Sequence, residues 1–238
     1  MARAATGMVL AAALLGPAAA VAVPPCTEDA IVVFDGSASM SKSRQGQNGE
    51  PRILAAREAM HRAMPEIALS RRLGLVIYGP GSQRDSCNNV DLRFAPVSNA
   101  APRITGAVDA LEPDGNTPLT DAVLSAAEAL DFTRSPGVVV LVTDGRETCG
   151  GSPCALGAEL AANSADLTVH VIGFQMQRDH NGHPSFRPAN AVYKADCLAD
   201  KTGGQVVTTE TVEELVTALR ETLACPVLGH LRWDNPAG

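Results

Sequence analysis

The sequence predicts an α/β fold with three layers, in which helices cover both faces of a doubly wound, mostly parallel six-stranded sheet with one antiparallel edge strand. Two short apolar segments, 30–34 and 138–142, are continuous rather than alternating, which is typical of central strands covered on both faces. Strand-like and helix-like segments follow one another in the order β-α-β-β-α-α-β-α-β-α-β-α. Only a polar loop separates strands 73–78 and 90–94, so these two should form a hairpin and supply the antiparallel edge.

The remaining elements follow from residue periodicity and from turn residues. The predicted strands are 30–34, 73–78, 90–94, 138–142, 167–172 and 205–208, and the predicted helices are 53–64, one capped by Ser98 or Asn99 that runs to Leu111, 118–130, 154–162, 196–201 and 212–223. Pro118 can sit in the first turn of the third helix, and Gly203 with Gly204 can end the fifth in a left-handed conformation. The polar stretch 179–188 is typical of a long surface loop.

The first 22 residues have the layout of a secretory signal peptide. Arg3 is the only charge before an apolar run from Met8 to Leu15, and Pro17 and a string of alanines follow. An uncleaved membrane anchor is the alternative, but the apolar run is short and is interrupted by proline. Cleavage after Ala22 would leave one α/β domain at 28–225 and a C-terminal tail at 226–238, in a protein that is secreted or periplasmic.

Composition excludes some function classes. The net charge is −7, which does not support a basic face for nucleic acid, and aromatic residues make up only 3% of the chain, which argues against stacking platforms for bases or sugars. The six cysteines behind an export signal predict three disulfides in an oxidising compartment. A zinc site is the competing interpretation, but the chain contains no CxxC pair.

Oxygen-bearing side chains from three distant segments are expected to meet at one edge of the sheet. Asp35 ends the first strand, and Asp144 follows another long apolar strand. Ser37 and Ser39 lie in the loop that leaves the first strand, and Thr117 lies in a loop that opens a helix. In a doubly wound sheet, ligands collect beyond the carboxyl ends of the strands. Hard oxygen donors without sulfur or imidazole favour Mg²⁺, Mn²⁺ or Ca²⁺.

These segments resemble the metal-ion-dependent adhesion site (MIDAS) of von Willebrand factor A domains. The resemblance lies in Asp-Gly-Ser-Ala-Ser at 35–39, Gly-Asn-Thr-Pro-Leu at 115–119 and Val-Thr-Asp-Gly at 142–145, which occur in the family's order. It extends over about residues 28–225. It implies direct binding of the cation by the hydroxyls of Ser37 and Ser39, and by Thr117 when a partner is engaged. It also implies that Asp35 and Asp144 act mostly through bound water or as alternate direct ligands.

The resemblance implies a binding function rather than an enzymatic one. The family leaves one coordination position for a carboxylate from a partner protein. Three neutral hydroxyls with two carboxylates held partly at a distance would leave the metal electrophilic, so that it gains from an outside carboxylate. The expected function is therefore extracytoplasmic, metal-dependent capture of a protein partner that presents an acidic side chain, with Mg²⁺ preferred over Mn²⁺ or Ca²⁺. The alternative is an accessory subunit of a secreted or periplasmic assembly, in which the metal mainly stabilises the fold.

Other interpretations of the same residues are weaker. Asp35 and the serines could simply cap the next helix, and Thr117 could be a plain helix cap. Val-Phe-Asp-Gly-Ser at 33–37 also resembles the nucleophile strand of haloacid-dehalogenase-type phosphatases, but Ser37 stands where those enzymes need a second acid. A serine hydrolase would need a base and a G-x-S-x-G turn, which the sequence lacks. His180 and His183 could hold a metal, although a solvated loop is the better interpretation.

The cysteine pairing is only partly constrained. Cys26 precedes the first strand and Cys225 ends the last helix, and pairing them would tie the termini together, as in several extracellular members of the family that the chain resembles. The other four could pair as Cys87–Cys149 with Cys154–Cys197, which is favoured here, or Cys149 and Cys154 could close a local loop. Either arrangement would stiffen the rim around the cation.

Overall fold

The computed structural model describes residues 26–43, 49–81, 87–175 and 195–225. The predicted signal peptide at 1–22, the predicted loop at 179–188 with His180 and His183, and the tail at 226–238 lie outside these ranges. Within them, no helix combines the length and the apolar character needed to cross a bilayer.

The observed elements occur in the predicted order. The strands are β1 Asp29–Asp35, β2 Leu73–Tyr78, β3 Val90–Val97, β4 Pro136–Thr143, β5 Asp166–Phe174 and β6 Val206–Thr209, and the helices are α1 Arg52–Ser70, α2 Ala101–Asp109, α3 Leu119–Ala129, α4 Pro153–Asn163, α5 Asp196–Thr202 and α6 Val212–Leu223. A short 3₁₀ helix, Ala38–Ser41, follows β1.

The six strands form one sheet in the order β3-β2-β1-β4-β5-β6. All neighbouring strands are parallel except β2 and β3, which form the predicted antiparallel hairpin at one edge. The α/β fold class predicted from the sequence is therefore confirmed.

Both faces of the sheet carry a hydrophobic core, which explains the continuous apolar strands. In β1, Val32 and Phe34 pack with α1, α2 and α6 on one face, whereas Ile31 and Val33 pack with α3, α4 and α5 on the other. Because β1 is covered on both sides, every residue from Ala30 to Asp35 is buried. An alternating strand would have left one of these faces polar.

The strand order reverses between the central strands β1 and β4. The chain leaves β1 for α1 on one face of the sheet and leaves β4 for α4 on the other. The loops that follow the two strands therefore diverge and leave a crevice at the carboxyl end of the sheet. This crevice is where Asp35 and Asp144 come together.

Several helix boundaries differ from the predicted ones. Helix α1 passes through Pro65 and ends at Ser70 rather than at Met64, with Ile67 still buried in the core. A proline removes one backbone hydrogen bond from a helix, but the burial of the following turn compensates for that loss.

The predicted caps are wrong at two helices and right at a third. Ala100, without a side-chain hydrogen bond, is the N-cap of α2, whereas Asn99 adopts φ +54°. Pro118 is the N-cap of α3 rather than a residue of its first turn. Gly203, with φ +75°, ends α5 in the predicted left-handed conformation.

All six cysteines form disulfides. Cys26–Cys225 joins the segment before β1 to the end of α6, Cys87–Cys149 joins the segment before β3 to the loop after β4, and Cys154–Cys197 joins α4 to α5. The structure thus has the favoured arrangement of the four internal cysteines and not the local Cys149–Cys154 loop. Because none of the six is free, the zinc interpretation of the cysteines is wrong.

Candidate metal centre

Asp35 is fixed at the end of β1 by hydrogen bonds to both of its carboxylate oxygens. The backbone N–H of Ser37 donates to Oδ1 at 2.8 Å, and the hydroxyl of Thr143 donates to Oδ2 at 2.7 Å. The Tyr78 hydroxyl donates in turn to Oγ1 of Thr143 at 3.0 Å. Since Tyr78, Asp35 and Thr143 end three adjacent strands, this chain of hydrogen bonds holds the carboxylate in one orientation and leaves it fully buried.

Ser37, Ser39 and Asp144 form a second chain of hydrogen bonds beside Asp35. The two serine Oγ atoms lie 2.8 Å apart, and Ser39 donates to Oδ1 of Asp144 at 2.6 Å. Because Ser39 gives its only hydroxyl proton to Asp144, Ser37 is the donor in the serine pair. Two hydroxyl oxygens from the loop after β1 and one carboxylate oxygen from the loop after β4 thus form a continuous chain of hydrogen bonds.

Thr117 reaches the same place from the loop before α3. A Cβ placed on Gly145 would lie 3.6 Å from Ser39 Oγ and 3.9 Å from Thr117 Oγ1, so the two hydroxyls flank the backbone after Asp144. The backbone of Thr117 is held by Thr148, whose hydroxyl accepts from its N–H at 2.8 Å and whose N–H donates to its carbonyl at 3.1 Å. The Thr117 side chain does not cap α3, so the plain-cap interpretation of this residue is wrong. The structure therefore brings all five predicted residues together.

The loops under the site pack so closely that they require glycine. The N–H of Ala38 donates to the carbonyl of Gly115 at 3.1 Å, and the N–H of Asp114 donates to the carbonyl of Gly36 at 2.9 Å. Gly79 and Gly115 have φ +105° and +76°, and a Cβ on Gly115 would collide with the carbonyl oxygen of Gly79. Any other residue at these two positions would be strained and would push the three loops apart.

Arg52 is a buried charge beside Asp144 that was not predicted from the sequence. It is the first residue of α1, it is only 4% exposed, and its Nη1 lies 3.3 Å from Oδ2 of Asp144. Its Nη1 also donates to the carbonyl of Ser39 at 3.1 Å, and its Nε donates to the carbonyl of Gln175 at 3.0 Å. One signal could have found it: Arg52 lies four residues before Ala56, on the apolar face of the helix, where a charge needs a buried partner.

Glu147 is the second missed residue, and it connects the site to α3. Its Oε2 accepts from the N–H and the hydroxyl of Thr120 at 2.9 and 2.6 Å, and its Oε1 accepts from the N–H of Cys149 at 2.7 Å. The carboxylate thus ties the first turn of α3, close to Thr117, to the loop after β4. No sequence pattern distinguishes Glu147, because it stands in a polar loop like many other glutamates.

Asp144 carries the most perturbed electrostatics of the site. Burial, and then the nearby charge of Asp35, raise the pKa of Asp144 to about 7, although the hydrogen bond from Ser39 and the charges of Arg52 and Lys42 act in the opposite direction. Its Oδ2 is buried and has no hydrogen-bond partner within the described ranges, and the Arg52 guanidinium lies 3.3 Å from it. A buried carboxylate in this situation would be stabilised by a cation.

The donors of the site are oxygen atoms, and most of them are neutral. Within the residues that the structure describes, no group of three or more His, Cys, Asp or Glu side chains is placed to hold a metal. The site instead combines the hydroxyls of Ser37, Ser39 and Thr117 with the carboxylates of Asp35 and Asp144. Such a set favours hard divalent cations over the softer metals that prefer thiolate or imidazole.

Comparison with known proteins identifies the fold. Residues 30–147 match the model of the von Willebrand factor type A domain. Among curated proteins, the chain is similar to the uncharacterized protein YwmD of Bacillus subtilis strain 168, with 27% identity over 195 residues that cover 79% of this chain and 81% of that protein.

Three solved structures illustrate the shared architecture. BatB from Bacteroides thetaiotaomicron has a TM-score of 0.57 at 16% identity, over 82% of this chain and 96% of that one. Proximal thread matrix protein 1 from the mussel byssus, with a zinc-occupied MIDAS motif, has a TM-score of 0.56 at 17% identity, over 85% and 46%. The pilus adhesin SpaC from Lactobacillus rhamnosus GG has a TM-score of 0.57 at 16% identity, over 84% and 30%. The match to the von Willebrand factor type A domain model thus covers residues 30–147, just under half of the chain, and the three solved structures share the chain's fold.

Proposed function

We propose that this protein is an extracytoplasmic binding protein, not an enzyme, that captures a carboxylate of a protein partner through a divalent cation, with Mg²⁺ as the first choice. Ser37, Ser39 and Thr117 would hold the cation through their hydroxyls, with Asp35 and Asp144 beside them. The observation that carries the proposal is the buried Oδ2 of Asp144, which has no hydrogen-bond partner in the described part of the chain and belongs to a carboxylate whose Oδ1 accepts from Ser39.

The charge of the site favours an outside carboxylate. When both are ionised, Asp35 and Asp144 contribute two negative charges, and the buried Arg52 already offsets part of them. A divalent cation bound to neutral hydroxyls would therefore keep positive charge and act as an electrophile toward an acidic side chain. The fixed loops under the site would limit the loss of freedom on binding, because they are already held by hydrogen bonds and by Cys87–Cys149.

Two further observations support the proposal. Three disulfides are expected of a protein that functions in an oxidising compartment outside the cytoplasm. Proteins with the same fold include a pilus adhesin and a byssus protein with a zinc-occupied MIDAS motif, and these descriptions support adhesion and metal binding as functions to test in this chain.

A structural role is the second candidate, and one observation favours it. Ser37, Ser39 and Asp144 already satisfy one another by hydrogen bonds, and a site that is closed in this way could use a cation only to stabilise the loops. The protein would then bind its partner through another surface, whether or not a metal is present.

Thermal unfolding tests the cation. We expect Mg²⁺ to raise the Tm of the wild type by several degrees relative to EDTA, because a ligand that binds only the folded state stabilises it. Asp144→Ala should abolish this shift. Asp109→Ala, which removes an exposed carboxylate paired with His61, should retain it. The absence of a Mg²⁺-dependent shift in the wild type would refute the proposed site.

A titration with glutarate separates capture from a structural role. With Mg²⁺ present, NMR should show shifts of the backbone amides of Ser37 and Ser39 as this dicarboxylate is added, and EDTA should remove them. Diethyl glutarate, the uncharged diester, is the matched control and should produce no shifts. Shifts that persist in EDTA, or none with Mg²⁺, would favour the structural candidate.

A further inference from the structure

We infer that Arg52 is an internal counter-cation of the site: it neutralises the ionised carboxylate of Asp144 when no divalent cation is bound, and it lowers the affinity for that cation. This inference rests on the proposed metal site and concerns its regulation. It gives a role to a charge that the ligand set does not require and that the three matching motifs do not contain.

The guanidinium of Arg52 is held in place from several sides. It is buried together with Asp144, at 4% exposure each, and the two side chains approach to 3.3 Å. The carbonyls of Ser39 and Gln175 accept hydrogen bonds from its Nη1 and Nε. A buried charge is costly unless it is paired and hydrogen-bonded, and Arg52 meets both conditions.

Arg52 is the ion partner of the carboxylate oxygen that lacks a hydrogen bond. Both oxygens of Asp35 accept hydrogen bonds from neutral groups, and Oδ1 of Asp144 accepts one from Ser39. Oδ2 of Asp144 has no hydrogen-bond partner in the described ranges and lies 3.3 Å from Nη1 of Arg52. The other cation that acts on Asp144 is Lys42, which is exposed to solvent and therefore screened.

A divalent cation at the hydroxyls would compete with Arg52 for the same negative charge. Two cations beside one pair of buried carboxylates repel each other, and the repulsion is weakly screened in a buried site. Binding of the metal should therefore weaken the pair between Arg52 and Asp144, and the pair should weaken binding of the metal by the same factor.

The competition would extend beyond the ligands. Arg52 begins α1, its N–H donates to the carbonyl of Lys42 at 3.1 Å, and its side chain reaches the end of β5 at Gln175. Occupancy of the site would thus change the forces on the first turn of α1. Metal binding should therefore alter the N-terminal turn of α1.

The test compares variants that remove or keep the charge. Arg52→Gln keeps a hydrogen-bond donor but loses the charge, whereas Arg52→Lys keeps the charge. Arg62→Met removes an exposed arginine of the same helix that pairs with Glu58 and Glu213, and it serves as the control. The Kd for Mg²⁺ is measured by calorimetry at pH 8.5, where Asp144 is ionised, and Tm is measured in EDTA and in saturating Mg²⁺.

We expect Arg52→Gln to bind Mg²⁺ about tenfold more tightly than the wild type, since it no longer repels the cation. It should be less stable than the wild type in EDTA, and saturating Mg²⁺ should close most of that gap. Arg52→Lys should bind Mg²⁺ with nearly the wild-type Kd, and Arg62→Met should match the wild type in both measurements.

Weaker or unchanged binding by Arg52→Gln would overturn the inference, as would failure of this variant to fold even in saturating Mg²⁺. Binding by Arg52→Gln but not by the wild type would support it in its strongest form. If neither protein binds Mg²⁺ while both fold, the proposed metal site fails and the inference fails with it. If the wild type binds Mg²⁺ and Arg52→Gln does not bind it more tightly, the inference fails but the proposed metal site stands.

Discussion

Helix α1 has a buried arginine at each end, and the two are held very differently. Arg52 begins the helix at the carboxyl end of the sheet, where Asp144, Ser39 and Gln175 surround its guanidinium. Arg71 follows the helix at the opposite end; it is also 4% exposed, but its ion partner, Glu28, lies 3.5 Å away. Its Nε and Nη1 have no hydrogen-bond partner in the described ranges.

The contrast shows that burial of a charge does not by itself indicate function. At the carboxyl end, a charge is buried inside a network of hydroxyls and carboxylates that could hold a cation. At the opposite edge of the sheet, where the parallel strands begin, Arg71 borders a cavity of about 740 Å³ near His170, and burial lowers the pKa of the arginine. A disulfide, Cys26–Cys225, links the chain covalently at this edge of the sheet. It lies beside Ser70, whose carbonyl accepts a hydrogen bond from the N–H of Cys26 at 2.7 Å.

The largest expected effect comes from removing that covalent link. Cys26→Ala with Cys225→Ala should lower the free energy of unfolding by about 5 kcal/mol, because the bond restricts the unfolded chain across a sequence separation of 199 residues. Urea unfolding measures the loss. The Kd for Mg²⁺ should change by less than about twofold. A large loss of Mg²⁺ affinity would show that the disulfide and the proposed metal site at the opposite edge of the sheet are coupled, and would contradict their separation into a structural and a functional end.

A smaller effect is expected from pH at the carboxyl end. In chelated protein, folded Asp144 keeps its proton up to about pH 7, whereas the unfolded chain releases it near pH 4. The contribution of this group to the free energy of unfolding should therefore fall by a few kcal/mol as pH rises from about 4 to about 7, and stay level above. The difference between wild type and Asp144→Asn, measured by urea unfolding in EDTA, isolates it. Equal pH profiles would contradict the raised pKa.

The smallest effect is expected at Arg71. Arg71→Met should leave the free energy of unfolding within about 1 kcal/mol of the wild type or raise it, because an apolar side chain avoids the burial of a poorly paired charge. Arg52→Gln in EDTA should lose substantially more. Urea unfolding of both variants compares the two ends of α1 directly. A loss of about 3 kcal/mol for Arg71→Met would contradict this prediction, because it would mean that Arg71 stabilises the fold as a well-paired buried charge does.

The sheet, and the meeting of the five candidate residues at one of its edges, could be predicted from the sequence for a physical reason, whereas metal binding by these residues stays a prediction. Continuous apolar segments such as 30–34 and 138–142 are typical of central strands, and the residues directly after such parallel strands lie at the carboxyl edge of the sheet. Helix ends were predicted less well, because tertiary burial extends α1 through Pro65 and leaves α2 without a side-chain cap. Local residue preferences do not contain that information.

The role of Arg52 could not be predicted in this way, because its acceptors are distant in sequence. The Ser39 carbonyl lies 13 positions away and the Gln175 carbonyl 123, so the contacts exist only once the sheet has formed. Thr143 is a similar case. Its position at the end of a strand was predicted, but the hydrogen bonds that link it to Asp35 and Tyr78 cross three strands.

The hydrogen bond between the carboxylate of Glu147 and the N–H of Cys149 bears on when the Cys87–Cys149 disulfide forms during folding. In an unfolded oxidised chain, Cys149 meets Cys154 far more often than Cys87, since short loops close at a lower entropy cost. The native partner is 62 residues away in sequence and becomes a neighbour only when β1 to β4 have assembled. Glu147 then accepts from the N–H of Cys149 and, through Thr120, anchors it to α3. Correct oxidation at this rim therefore follows formation of the sheet, and a chain oxidised too early would depend on disulfide exchange to reach its native state.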